Sequence, residues 1–273
     1  MRLDCFLAEH DYVPSRQKAK ELIRSGQVFL DGKEVRKASM KVDPDQKPHV
    51  EVWGDLLRFV SRGGLKLDKA IRSFEIDLED RTCMDVGAST GGFTDCMLQH
   101  GAARVYAVDV GTSQLDERLT ADPRVVSMEQ TNMRYLKPED LEDRVDFISI
   151  DVSFISLEKI LPSAVLFLRE KGRMVCLVKP QFEAGRGQMN KKGVVRDPRI
   201  RAKILLNLMD YVESLGLYPA GLTASPIRGP EGNQEYLLYL VLADKEAGWR
   251  ERIEERQVRL LAEEPERMII TIR

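Results

Sequence analysis

The stretch TCMDVGASTGGFTDC, residues 82–96, decides how the rest of the chain reads. Its first half, TCMDVG, reads as a short buried strand. Gly87, Gly91 and Gly92 then crowd a turn, and FTDCMLQHG from Phe93 reads as a helix. Working outward, RVYAVDV (104–110), RVVSME (124–129), DFISID (146–151) and GRMVCLVKP (172–180) read as strands. SLEKILPSAVLFLRE (156–170) and PRIRAKILLNLMDYVESLG (198–216) read as helices, and a last strand, EYLLYLVLA (235–243), follows the Pro/Gly-rich loop PIRGPEGNQ. Alternation of this kind predicts an α/β domain with a mostly parallel sheet and helices on both faces.

Composition bounds the possibilities. The chain has 273 residues, 43% hydrophobic and 32% charged, enough apolar material for a sizeable core and too much for a disordered chain. A net charge of -2 means that any surface for a polyanion must be local. Cys5, Cys83, Cys96 and Cys176 are far apart and share no metal-ligand spacing, and His10, His49 and His100 form no histidine cluster. No metal is therefore expected. The longest apolar run, Tyr236 to Ala243, is far short of the roughly 18 residues that span a bilayer, and the opening MRLDCFLAEHDYVPSR lacks the apolar core of a secretory signal. A soluble chain in a reducing, cytoplasmic compartment, with no membrane partner, is the expectation.

The first sixty residues differ in character. Ser15 can cap a helix over RQKAKELIRSG, with Ala19, Leu22 and Ile23 on one face and Arg16, Lys20 and Arg24 on another. Short strands follow in QVFLDG and KEVRKASMKV about a turn at Asp31-Gly32, and again at Val50–Val52. Pro14 to Lys41 holds eight basic residues against three acids. A phosphate-contacting module and an ordinary solvated face weigh equally on charge alone. The expected organisation is a small α+β module with linker at 1–58, the α/β domain at 59–245 and a charged helical tail at 246–273.

The glycine loop carries the first chemistry. Its spacing is G-x-S-x-G-G, not the dinucleotide G-x-G-x-x-G. Asp85 puts a carboxylate before the first glycine, awkward beside a pyrophosphate but useful near the cationic sulfonium and amino group of S-adenosylmethionine. Asp109, ending the next strand, suits ribose hydroxyls. A plain tight turn is the bland alternative; with Asp109 the loop favours S-adenosylmethionine as cofactor.

Charged residues also sit at strand ends, where open parallel sheets place their sites. Asp151 ends DFISI, Lys179 ends MVCLV, and Glu235 starts the last strand. Any one of these could be a solvated strand end; three along one edge beside a cofactor loop are harder to dismiss. Lys66, in SRGGLKL, lies near the start of a helix whose apolar face is Leu67, Ala70, Ile71 and Phe74, and spacing alone reads it as a solvated lysine. A lysine-rich site suits attack by a ribose 2'-hydroxyl on a sulfonium methyl, a direct transfer that depends on positioning and proton handling.

With these residues in view, the chain resembles the TlyA family, ribosomal RNA 2'-O-methyltransferases historically labelled hemolysins. The motifs that carry the resemblance are SRGGLKL, DVGASTGGFTDC, SIDVSFISL, LVKPQFEAG and GNQEYLLYL, and it covers nearly the whole chain. The second region is similar to FtsJ-type methyltransferases, Rossmann-like in fold. The first resembles the S-four-like RNA-binding domain, through Arg2-Leu3-Asp4 and Ser15-Arg16 to Ile23-Arg24-Ser25-Gly26. The resemblance implies a catalytic set of Lys66, Asp151, Lys179 and Glu235, and lifts Lys66 above what spacing supports. It implies cofactor contacts from Asp85, Gly87, Ser89, Gly91, Gly92, Phe93 and Asp109, with Asn132 and Met133 where many methyltransferases carry an aspartate. It further implies ribosomal RNA or ribosomal subunits as partner and a cytidine ribose as target.

The candidate RNA contacts are Arg2, Arg16, Lys20, Arg24, Lys37 and Lys41 in the first module, with Arg62, Arg186, Lys191, Lys192 and Arg196 in the second. The last four open a segment, Arg186 to Lys203, with seven basic residues and one acid. Two other readings stand beside this one. A ribosome-binding assembly factor with a vestigial cofactor fold is opposed by the presence of all four candidate catalytic residues. A membrane-lytic role, which the hemolysin label suggests, has no spanning segment to support it.

Overall fold

A computed structural model describes residues 1–10, 12–13, 15–30, 33–44, 48, 50–52, 58–185, 187–229, 232–243, 252–265 and 268–272. These divide into two compact units, Met1–Arg58 and Phe59–Arg273.

In the first unit, α1 (Leu3–Glu9) and α2 (Arg16–Arg24) accompany a three-stranded antiparallel sheet of β1 (Val28–Leu30), β2 (Lys33–Glu34) and β3 (Val50–Val52), in the order β2-β1-β3. The Ser15 hydroxyl accepts the Lys18 N–H and starts α2, and Ala19, Leu22 and Ile23 are all buried, as their helical spacing predicts. KEVRKASMKV forms a strand only at Lys33–Glu34, and the expected turn at Asp31-Gly32 lies outside the described residues. The seven-residue α1 is an addition to the sequence reading; Leu3, Phe6 and Leu7 bury its inner face.

In the second unit, α3 (Gly63–Ser73) precedes an alternation of β4 (Thr82–Val86), α4 (Gly92–Gln99), β5 (Arg104–Val108), α5 (Glu117–Thr120), β6 (Val125–Met128) and β7 (Val145–Ile150). There follow α6 (Leu161–Ala164), β8 (Leu168–Val178), α7 (Pro180–Glu183), α8 (Pro198–Ser214), β9 (Leu217–Ala224), β10 (Tyr236–Leu242), α9 (Glu255–Glu263) and β11 (Ile269–Thr271). The eight-stranded sheet runs β11-β9-β10-β8-β7-β4-β5-β6. Strands β4 to β8 are mutually parallel where they pair, and β10 runs antiparallel to both β8 and β9. This is the α/β methyltransferase-like architecture expected. The strand order reverses direction between β4 and β7, the switch point where such sheets open a crevice.

Alternation along the strands sorts the core into two layers. Met84, Val86, Ile148 and Ile150 face a layer closed by α8 and α9, while Cys83, Phe147, Val175 and Leu177 face α3 and α4.

Three differences from the sequence reading have local causes. SLEKILPSAVLFLRE is not one helix: Pro162 falls inside it, the backbone makes only short helical turns from Leu157 to Phe167, and β8 begins at Leu168. LYPAGLTA, whose Pro219 and Gly221 look like breakers, is β9 and is buried throughout. Pro219 falls where the β9–β10 register slips, and a methyl on Gly221 would meet the Phe74 ring at 2.6 Å. The expected helical tail is part of the second unit: α9 lies against α8, and β11 pairs with β9 to extend the sheet.

Candidate active site

The antiparallel direction of β10 assembles the site. Its amino end lies at the same edge as the carboxyl ends of the parallel strands, with Tyr236 opposite Val178. Glu235 therefore reaches the region of Lys179, which directly follows β8, and of Asp151, which directly follows β7. Lys66 arrives from the first turn of α3. Its Nζ donates to Glu235 Oε2 at 2.7 Å and stands 3.9 Å from Asp151 Oδ2. The other oxygen of Asp151, Oδ1, is 2.7 Å from Lys179 Nζ, which also donates to Ser153 Oγ at 2.9 Å. The result is a row of alternating charge, Glu235–Lys66–Asp151–Lys179. Glu235 is fully buried and Lys179 nearly so. Charges so withdrawn from water need partners of opposite sign, and each has one. Among the described residues, no group hydrogen-bonds the other oxygen of Glu235, Oε1.

Two adjoining clefts meet at this row. The first, ≈ 570 Å³, contains Lys66, Asp151 and Lys179 together with Ser61, Arg62 and Arg228. The second, ≈ 510 Å³, contains Val108, Asp109, Asn132, Met133 and Phe154. Gly87, Ser89, Asp151 and Ser153 line both. Gly87 has φ +85°, and a Cβ there would meet the Asp151 carbonyl oxygen at 2.4 Å. Only glycine lets the loop pass Asp151 this closely. Gly91 caps α4, and Gly92 and Phe93 line the first cleft. Asp109 accepts the Ser89 N–H at 2.8 Å and the Gly111 N–H at 2.7 Å, so it shapes the loop as well as lining the second cleft.

Asp85 departs from its expected place. It alternates with Met84 and Val86 and so points beneath the loop, towards α4. There it is fully buried, accepting the Thr94 hydroxyl at 2.7 Å and the Ser149 hydroxyl at 3.1 Å, and it lines neither cleft. Burial pushes its carboxyl up to about 7, against the pull of the two hydroxyls. Its described partners are thus hydroxyls of α4 and β7 and not groups of either cleft.

Several residues at the clefts were not singled out in the sequence. Ser153 and Phe154 lie inside SIDVSFISL, and Arg228 lies inside the loop before Glu235. Phe154 is 92% exposed at a positive φ of 64°, its ring 5.2 Å from that of Phe182. A bulky residue seldom holds that backbone conformation, and exposed placement of a ring is unusual for a fold that could bury it. The fold also brings Asp68, Cys96 and His100 together, with their potential ligand atoms within 4.8 Å of one another, which chain spacing does not reveal. Asp68 is already paired with Arg72 at 3.0 Å and with His100 at 2.9 Å, so charge there is balanced by protein groups.

Among the candidate RNA contacts, Arg2 and Arg16 converge on one buried acid. Arg2 Nε lies 2.9 Å from Asp4 Oδ1 and Arg16 Nε 3.2 Å from Asp4 Oδ2. Hydrogen bonding from Arg2 holds the Asp4 carboxyl well below the usual carboxylate range, outweighing the opposing effect of burial. Lys41 joins this patch through a backbone bridge to Arg2. Arg24 and Lys37 are exposed, and Lys20 is half-buried. In the second unit Arg62, Lys191, Lys192 and Arg196 are exposed; Arg186 lies outside the described residues. No helix among the described residues is long and apolar enough to cross a membrane.

Comparison with known proteins identifies the family. The model of the FtsJ-like methyltransferase family matches residues 59–242, and that of the S4 domain matches residues 1–47. The protein YqxC of Bacillus subtilis is 47% identical over 240 residues, covering 88% of this chain and 85% of that one. The 16S/23S rRNA (cytidine-2'-O)-methyltransferase TlyA of Mycobacterium tuberculosis is 45% identical over 239 residues, covering 88% and 89%. A solved structure from Streptococcus thermophilus, named a hemolysin, is 42% identical, covers 97% of this chain and 95% of its own, and superposes with a TM-score of 0.76. The chain belongs to the TlyA family, with an S4 domain followed by an FtsJ-like methyltransferase domain.

Proposed function

We propose that this protein is an S-adenosylmethionine-dependent 2'-O-methyltransferase of ribosomal RNA, acting on a cytidine ribose. The observation that carries the reading is the row Glu235–Lys66–Asp151–Lys179, whose last three members line a cleft beside a glycine loop. The related TlyA of Mycobacterium tuberculosis supports the choice of ribosomal RNA and of cytidine.

The residues fit the cofactor. Val108 and Met133 offer apolar walls in the second cleft for an adenine ring, with Asn132 beside them, and Asp109 offers a carboxylate at ribose height. Gly87, whose missing Cβ lets the loop pass the Asp151 carbonyl closely, lines both that cleft and the one holding Asp151 and Lys179. When bound, the cofactor supplies a methyl group carried on a cationic sulfur.

The chain's own groups position and activate the other reactant. Lys179, anchored by Asp151 and Ser153, holds the ribose 2'-oxygen through Nζ. Asp151 fixes Lys179 on one side and faces Lys66 on the other, and Glu235 completes the charge balance behind Lys66. As the oxygen attacks, its proton leaves into this row, where amines and carboxylates lie in mutual contact. Exposed Phe154 and the guanidinium of Arg228 give an unstacked nucleotide an aromatic surface and a phosphate partner at the mouth. The Arg2–Arg16–Lys41 patch supplies a docking surface in the first unit.

Labelled methyl transfer to unmodified ribosomal subunits, with the product mapped, tests the reading. A 2'-O-methylcytidine on one or both subunits is the expected result. Absence of transfer to either subunit, with cofactor binding measurable, would overturn it.

A further inference from the structure

Two residues close to Glu235 in the chain, Asn233 two positions before it and Tyr236 directly after it, are both tied to the basic segment following α7. Asn233 is 4% exposed. Its Oδ1 accepts the Val195 N–H at 3.3 Å and its Nδ2 donates to the Gly193 carbonyl at 3.2 Å, so its amide grips the backbone of that segment on both sides of Val194. On the other side of Glu235, the Tyr236 hydroxyl accepts from Arg201 Nε at 3.0 Å. The same guanidinium donates to the carbonyls of Val195 at 3.2 Å and Arg196 at 2.6 Å. The gripped stretch is ordered from within by the Asn190 side chain, which accepts the N–H groups of Lys192 and Val194. It presents Lys191, Lys192 and Arg196 to solvent while Val194 and Val195 are buried beneath it.

Described residues on the Glu235 side are tied as well. The Gly229 N–H donates to the Asn233 carbonyl and the Ser225 N–H to the Glu235 carbonyl, both at 2.9 Å. A methyl on Gly229 would lie 2.2 Å from Glu235 Oε1, so this loop lies directly against the carboxylate. A displacement of Asn233 cannot be absorbed locally without moving Glu235, and Glu235 is the partner that holds Lys66.

We infer that Asn233 is a positioning residue that fastens the basic segment 190–196 to Glu235, so that seating this segment on RNA phosphates sets the Lys66–Glu235 end of the charge row. The inference rests on the methyltransferase reading for its kinetic consequence but not for its mechanical one. Arg201 is the second fastener, which explains why this arginine, although part of the basic run, spends its donors on backbone carbonyls and a tyrosine.

Two measurements on the full-length protein test it together. In hydrogen exchange followed residue by residue, Asn233→Ala is expected to speed exchange at the Val195 amide and also at the Ser225 amide, which reports on Glu235. Faster exchange at Val195 alone would overturn the coupling. In methyl transfer to unmodified ribosomal subunits, Asn233→Ala is expected to lower kcat about tenfold or more with cofactor affinity unchanged, the scale of a misplaced catalytic constellation. Asn233→Asp, which keeps the acceptor for Val195 and loses the donor to Gly193, should fall between it and the wild type. If Asn233→Ala changes only the KM for RNA, or changes neither constant, the positioning role is refuted. A wild-type protein without transfer would defeat the methyltransferase reading and leave the exchange comparison to judge the latch.

Discussion

Asp85 and Asp151 sit near the same edge of neighbouring strands, Asp85 inside β4 opposite Ser149 and Asp151 just beyond the end of β7, yet their surroundings differ in kind. Asp85 points to the α4 layer, is sealed from solvent, and meets two hydroxyls. Asp151 lies in the cleft and meets two lysines. The first is a carboxylate that burial pushes towards neutrality, to about 7; the second is one member of a balanced row. A charged residue at a strand's carboxyl end is thus not sufficient to mark chemistry. Whether it lies inside the sheet or beyond the strand's end decides whether it faces a helix layer or the crevice, and the identity of its partners decides what it can do.

The comparison can be broken most severely at the row itself. Lys179→Ala removes the group proposed to hold the ribose hydroxyl and leaves the lining of the second cleft intact. Methyl transfer is expected to fall about 10²–10⁴-fold, while cofactor affinity measured by calorimetry stays within about twofold of the wild type. Weakened cofactor binding in step with lost transfer would move Lys179 from the chemistry to the cofactor.

A carboxylate in the other unit, Asp4, sharpens the contrast. Asp4 is fully buried like Asp85 but is paired with cations like Asp151, and those cations are exposed arginines. Asp4→Asn makes the protein more positive by one charge. If Asp4 orients Arg2 and Arg16, affinity for a ribosomal RNA fragment should nonetheless drop, by about tenfold, or roughly 1.4 kcal/mol, on the scale of one or two charge-assisted hydrogen bonds. A rise in affinity in a binding titration would show that charge count alone governs this surface.

A further effect concerns Asp85 and is read in stability. Its folded pKa is raised to about 7 from an ordinary carboxylate value near 4, so the folded form holds an extra proton between those limits. The stability it contributes is complete below about pH 4 and is lost as pH rises through about 7, at no more than ~1.4 kcal/mol per pH unit. Urea unfolding of the wild type and Asp85→Asn from pH 5 to pH 8 should show the variant gaining relative stability up to about pH 7 and levelling above it. A difference independent of pH would mean that Asp85 is ionised in the fold.

Much of this was legible in the chain. The glycine loop, the alternation of strands and helices, and the charged residues after β7 and β8 follow from local patterns. The helix at Ser15 follows from its cap and its apolar spacing. What stayed hidden was non-local. Lys66 and Glu235 meet across 169 positions of sequence, and nothing in the spacing of SRGGLKL shows that the amino end of an antiparallel strand will lie against it. β9 hid behind Pro219 and Gly221, whose conformations suit a register slip and a close approach to Phe74. The inward direction of Asp85, by contrast, was available from its alternation with Met84 and Val86, and only its proximity to the glycines suggested otherwise. Phe154 and Arg228 belong to motifs that were recognised for their neighbours.

The difference between the two aspartates is tested most directly by single-turnover methyl transfer, at saturating cofactor and on unmodified ribosomal subunits, for Asp151→Asn and Asp85→Asn side by side. Loss of about 10²-fold or more in the first, with the second retaining transfer within about threefold, is the predicted result. Comparable loss in both, or full activity in Asp151→Asn, would contradict the assignment of the chemistry to the charge row.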